Sequence, residues 1–137
     1  MRLYHSLGLA VAMLTVGAVA HGQQNPAPPK PTVTPVLTQA LPDYPGKEAL
    51  VLTVSYPPGG ISPLHHHDAY AFVYVLEGSV VMAVEGGKEV TLTRGQTWSE
   101  KPGDVHTVSR NASASKPAKF VVFFLKDAGK PAVIPGA

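Results

Sequence analysis

The chain has 137 residues, one domain's worth, and its 45% apolar and 15% charged content supports a packed core and argues against general disorder. Eleven basic and nine acidic side chains leave a formal charge of +2 without a basic block, which excludes an electrostatic footprint for nucleic acid and a polybasic membrane patch. The absence of cysteine excludes disulfides, thiol catalysis and thiolate metal sites, so any metal must be held by histidine and carboxylate.

In chain order, residues 1–20 come first. Arg2 precedes an apolar, uncharged run from Leu7 to Val19, and Ala18-Val19-Ala20 supplies the small residues of a cleavage site. The pattern is that of a secretory signal peptide, since the run falls short of the ~20 residues that span a bilayer. Export is therefore expected, with no stable membrane insertion after cleavage. Residues 21–35 are proline-rich and read as an extended arm, a tether ahead of a domain at 36–130. Residues 131–137 read as a C-terminal tail.

From Val36 the pattern is strand, turn, strand. Ala49 to Tyr56 alternates and stops at Pro57-Pro58-Gly59-Gly60. Ala69 to Leu76 is β-branched and aromatic, and Glu77-Gly78-Ser79 turns it into Val80 to Val84. Further strands are expected at Glu89 to Thr93, Thr97 to Glu100, Val105 to Ser109 and Lys119 to Leu125. Turn signals every ~8–12 residues, with 14 Pro and 13 Gly and no helical period, give an all-β sandwich or barrel. Ala69 to Leu76 is apolar on both faces: Ala69, Ala71, Val73 and Val75 on one, Tyr70, Phe72, Tyr74 and Leu76 on the other. A strand with one wet face should alternate apolar with polar. A second cover is expected, and a homodimer is the simplest one.

Six histidines against three arginines is an unusual ratio, and four of the six fall at His65-His66-His67 and His106. On an extended strand His65 and His67 project to one face while His66 points away. His106 follows a Pro-Gly turn that could bring it in from a neighbouring strand. Imidazole nitrogens suit one divalent transition metal, whether Fe, Zn, Ni, Cu or Mn.

These residues resemble the cupin superfamily, a fold of small double-stranded β-helix, jelly-roll-like barrels. The first motif of that family, G-x5-H-x-H-x3,4-E-x6-G, is met by Gly59, His65, His67 and Gly78. The second, G-x5-P-x-G-x2-H-x3-N, is met by Gly95, Gly103 and His106, with Pro102 and Asn111 each displaced by one. The resemblance runs from Val51 to Leu125 and implies metal ligands at His65, His67 and His106. Being mainly bacterial, it also makes the periplasm the expected destination.

The departure lies at the glutamate of the first motif, whose position here is Ala71, or Phe72 with the longer spacing. Neither can bind a metal, so the sequence gives a three-His site unless another carboxylate arrives. Glu100, Asp68 and Asp104 are near enough in sequence, and each is expected to be exposed or to orient a histidine through its free N–H. Glu77 belongs to a turn. A divalent ion on three neutral imidazoles would keep its full charge and favour anionic, chelating ligands.

The small-molecule pocket is expected to be apolar, with no Lys or Arg inside it and Trp98 as a possible wall. No Ser-His-Asp order, phosphate loop or glycosidase-like carboxylate pair is present, and catalytic residues are not identifiable. What the cupin resemblance implies, as the leading expectation, is a metal-dependent, dioxygenase-like oxidoreductase. A non-catalytic metal- or ligand-binding cupin, or a Lewis-acid isomerase or lyase, are the alternatives.

Overall fold

Alternation of small apolar and aromatic side chains from Ala69 to Val75 makes β-structure of the segment Ala69–Glu77, a strand in the sheet that faces the histidine-bearing one. The computed structural model describes residues 25–137; the expected signal peptide lies outside the described residues. Ten strands form two five-stranded sheets, and no helix occurs among the described residues. In chain order they are β1 (Thr32–Ala40), β2 (Lys47–Tyr56), β3 (His65–His66), β4 (Ala69–Glu77), β5 (Ser79–Val84), β6 (Val90–Thr93), β7 (Thr97–Glu100), β8 (Val105–Asn111), β9 (Ala118–Asp127) and β10 (Ile134–Pro135). One sheet runs β1-β2-β9-β4-β7 and the other β10-β3-β8-β5-β6, every ladder antiparallel.

The inward faces of the two sheets meet in one core. Leu52, Val54 and Tyr56 of β2, Ala71, Val73 and Val75 of β4, Val80 and Met82 of β5, and Phe120, Val122 and Phe124 of β9 are all buried there. At roughly 1.5–3 kcal/mol for each large apolar side chain removed from water, this cluster is the main source of stability. The motif glycines Gly59, Gly78, Gly95 and Gly103 all have positive φ, from 67° to 87°. At Gly78, in the β4–β5 turn, a Cβ would also run into the Pro117 carbonyl oxygen. Only glycine fits there.

Two segments depart from expectation. The arm, read as a tether through residue 35, enters the fold early: β1 begins at Thr32 and pairs along most of β2. Pro35 is accommodated because β1 is an edge strand and its register shifts between Pro35 and Leu37. Ahead of it, the Ile61 N–H donates to the Pro29 carbonyl at 3.0 Å. The tail folds back as well, with Ile134 opposite His66 and Pro135 opposite His65. The outer face of β4 keeps Tyr70, Phe72, Tyr74 and Leu76 exposed in the single chain. Phe123 of β9 joins this stripe, its ring 6.0 Å from that of Phe72.

Candidate metal centre

β3 and β8 run side by side with His65 directly opposite His106. Their rings stack with centroids 4.7 Å apart and planes 12° from parallel. The His67 ring stands edge-on to both, at 5.0 Å from His65 and 5.7 Å from His106. All three are buried, and one nitrogen from each lies within 4.8 Å of the others, so the group could hold a metal ion. His66 points the other way, its Nδ1 3.1 Å from the Gly136 carbonyl oxygen.

Backbone carbonyls settle how two of the rings present themselves. The Nδ1–H of His65 donates to the Pro63 carbonyl at 2.8 Å, and that of His67 to the Ala132 carbonyl at 2.5 Å. With Nδ1 protonated, each Nε2 carries a lone pair directed into the site. Burial pushes both imidazoles below their usual value, outweighing the carbonyls that act the other way, so both favour the neutral form that a metal requires. The contact to Ala132 gives the tail a role that the sequence reading did not foresee.

Of the carboxylates offered by the sequence, one turns inward. Glu100, expected to be exposed or to act from behind a histidine, is only 3% exposed and faces the three rings. Its Oε1 lies 2.6 Å from His106 Nε2 and its Oε2 3.9 Å from His67 Nε2. Asp68 is exposed. Asp104 accepts the Lys101 backbone N–H within its own turn at 2.9 Å. Glu77 is exposed at the end of β4. Glu100 Oε2 has no hydrogen-bond partner. A buried carboxylate oxygen left unpaired is costly, and a cation among three imidazoles would satisfy it. The residues therefore fit a metal.

A cavity of about 270 Å³ opens onto this group. Its walls are apolar, from Leu52, Val54, Val73, Met82, Phe120, Val122 and Phe124. Trp98, a possible wall by sequence, packs against the core without lining this cavity. Lys30 and Val33 of the arm, and Val133 and Pro135 of the tail, complete the lining. The expectation of a pocket without Lys or Arg thus fails at Lys30, because the arm docks where a tether would hang free. A second polar feature also went unforeseen: Tyr56 Oη lies 2.5 Å from Ser62 Oγ and 2.9 Å from Ser109 Oγ, and donates to the Ser109 carbonyl at 3.1 Å. Burial pushes the Tyr56 phenol up, so it stays protonated. Asn111, from the second motif, is structural: its Nδ2 donates to the Pro57 and Lys116 carbonyls at 3.0 and 2.8 Å.

The family model described as the cupin domain matches residues 52–124. Among solved structures, the chain is similar to an uncharacterized conserved protein with a double-stranded β-helix domain from Klebsiella pneumoniae (TM-score 0.62, 21% identity, 82% of this chain and 90% of that one). It is also similar to a DMSP lyase from Ruegeria pomeroyi (TM-score 0.55, 21% identity, 64% and 42%). A third is a recombinant oxalate oxidase in complex with glycolate (TM-score 0.58, 22% identity, 77% and 54%). At these identities the likeness is one of fold. No curated protein gives a significant match.

Proposed function

The chain belongs to the cupin domain family, and on that premise we propose that it is an exported, metal-dependent cupin enzyme acting on a small chelating molecule. The observation that carries this reading is the convergence of three buried imidazoles on one apolar cavity. A divalent ion held by His65, His67 and His106 would polarise a coordinated oxygen or, if redox-active, activate dioxygen. The protein's own part is to fix the rings through Pro63 and Ala132 and to exclude water with the walls of β2, β5 and β9. Those walls favour a molecule with a chelating head, such as a hydroxy acid or an enolate, and a compact apolar body.

An oxygenase is the leading class, because three imidazoles would leave a redox-active ion open positions at which dioxygen can bind. A lyase among the fold neighbours supports a second reading, Lewis-acid chemistry, while an oxalate oxidase among them supports the redox reading. The leader, residues 1–20, supports export to the periplasm. The exposed stripe on β4 supports a homodimer.

Elemental analysis of untagged protein from its native compartment, followed by oxygen uptake with small hydroxy acids, tests the reading. Near-stoichiometric iron or copper with substrate-dependent oxygen uptake supports the oxygenase. Zinc or nickel without oxygen uptake moves the assignment to isomerase, lyase or binding protein. A protein that neither carries nor takes up a metal overturns the proposal.

A further inference from the structure

The first cupin motif lacks its glutamate here, and a carboxylate stands on the neighbouring strand. Counting through the motif places the family's carboxylate at Ala71, which is wholly buried on the inner face of β4. Ala71 and Glu100 are direct partners across the β4–β7 ladder. Side chains of such partners leave the sheet on the same face, about 4.5–5.5 Å apart at Cβ. A carboxylate at Glu100 therefore reaches the space that one at Ala71 would have filled, and the small Ala71 methyl leaves room for it.

Which nitrogens Glu100 addresses decides what it does there. A carboxylate that orients a ligating histidine takes the ring N–H remote from the metal. In this site the remote positions of His65 and His67 are already taken, by the Pro63 and Ala132 carbonyls. Glu100 instead lies 2.6 Å from His106 Nε2 and 3.9 Å from His67 Nε2. For His67 that nitrogen is the one left free to face a metal. Oε2, buried and without a partner, is the second and independent observation. Asp68 and Asp104 offer no competing carboxylate, since one is exposed and the other caps its own turn.

The geometry points to Glu100 as a fourth protein ligand, completing with His65, His67 and His106 a cation site of three imidazoles and one carboxylate. This rests on the metal-dependent reading above. It changes the chemistry expected of the site, because the bound ion loses one unit of charge and one open position. Preference for anionic ligands weakens accordingly, and substrates that bind through a single oxygen become acceptable.

Zinc affinity by competition with a chromophoric chelator, and the visible spectrum of the cobalt(II) form, test this in the protein with both its arm and its tail. Wild type is compared with Glu100→Gln, Glu100→Ala and the exchange Ala71→Glu/Glu100→Ala. Both single Glu100 variants should lose at least tenfold in zinc affinity and shift the cobalt bands, and the exchange should regain affinity to within a few-fold of wild type. The isosteric Glu100→Gln keeps the test decisive if the exchange variant does not fold. Glu100→Gln binding zinc as tightly as wild type, with an unchanged cobalt spectrum, overturns the ligand role and leaves the metal site standing. Wild type that binds no zinc or cobalt overturns both.

Discussion

His65 and His106 are direct partners across the β3–β8 ladder, and their rings stack 4.7 Å apart. Two imidazoles that share a cross-strand position cannot be lost independently of the site they form. His65→Ala, His67→Ala and His106→Ala should each lower zinc affinity by more than ~100-fold, beyond the loss typical of an outer contact. His66→Ala should stay within a few-fold, because its ring faces Gly136. Titration calorimetry of the four variants checks this, and equal losses in all four would refute the alternation of side chains along this segment.

Stability of the metal-free protein should fall with acid. Burial depresses His65 and His67 below the ordinary value of 6.5. Above about pH 6.5 both are neutral folded or unfolded, so the full stability is present. As pH drops below that value the unfolded chain binds protons that the folded chain refuses, and stability is lost until the native imidazoles titrate. The slope is at most about 1.4 kcal/mol per pH unit per histidine. Urea midpoints between pH 8 and pH 5 measure it. A His65→Ala/His67→Ala variant should show a flatter profile, and an identical profile would place the effect elsewhere.

Removal of residues 131–137 should weaken the metal site without unfolding the barrel. The deletion takes away the Ala132 carbonyl that holds His67 Nδ1 and the short β10 pairing. Loss of an outer contact of this kind typically costs 10–100-fold in metal affinity. Zinc titration alongside a thermal melt separates the two effects; unchanged affinity would mean that the tail does not position His67.

The proposed homodimer is expected to use the outer face of β4. Phe72→Glu combined with Tyr74→Glu should leave a folded monomer, since both side chains are exposed in the single chain. Analytical ultracentrifugation over a hundredfold concentration range is the measurement. A wild type that sediments as a monomer throughout removes the proposal.

Much of the barrel was legible because alternation is a local property. The inward set of β4, Ala69, Ala71, Val73 and Val75, could be read directly and is buried as read. Spacing pairs His65 with His67, and the cupin resemblance added His106; the three rings do converge. Glu100 was not, because its orientation depends on facing Ala71 across β4–β7, a pairing between residues far apart in the chain. Nor were the arm and the tail, since proline-rich segments carry no periodicity and their places at sheet edges depend on what the rest of the barrel leaves unpaired. Lys30, docked against the cavity, follows from that second failure.

The two chain segments that finish the cavity wall also bear on how quickly a ligand is exchanged. β10 is a two-residue pairing at a sheet edge, closed by the Gly136 N–H donating to the Leu64 carbonyl at 3.0 Å. Fraying of so short an element requires far less free energy than global unfolding. Residence time in the cavity would then be set by the frequency at which this strap detaches. Release should quicken with temperature well below the melting transition, and the amide of Gly136 should exchange with deuterium much sooner than those of β9.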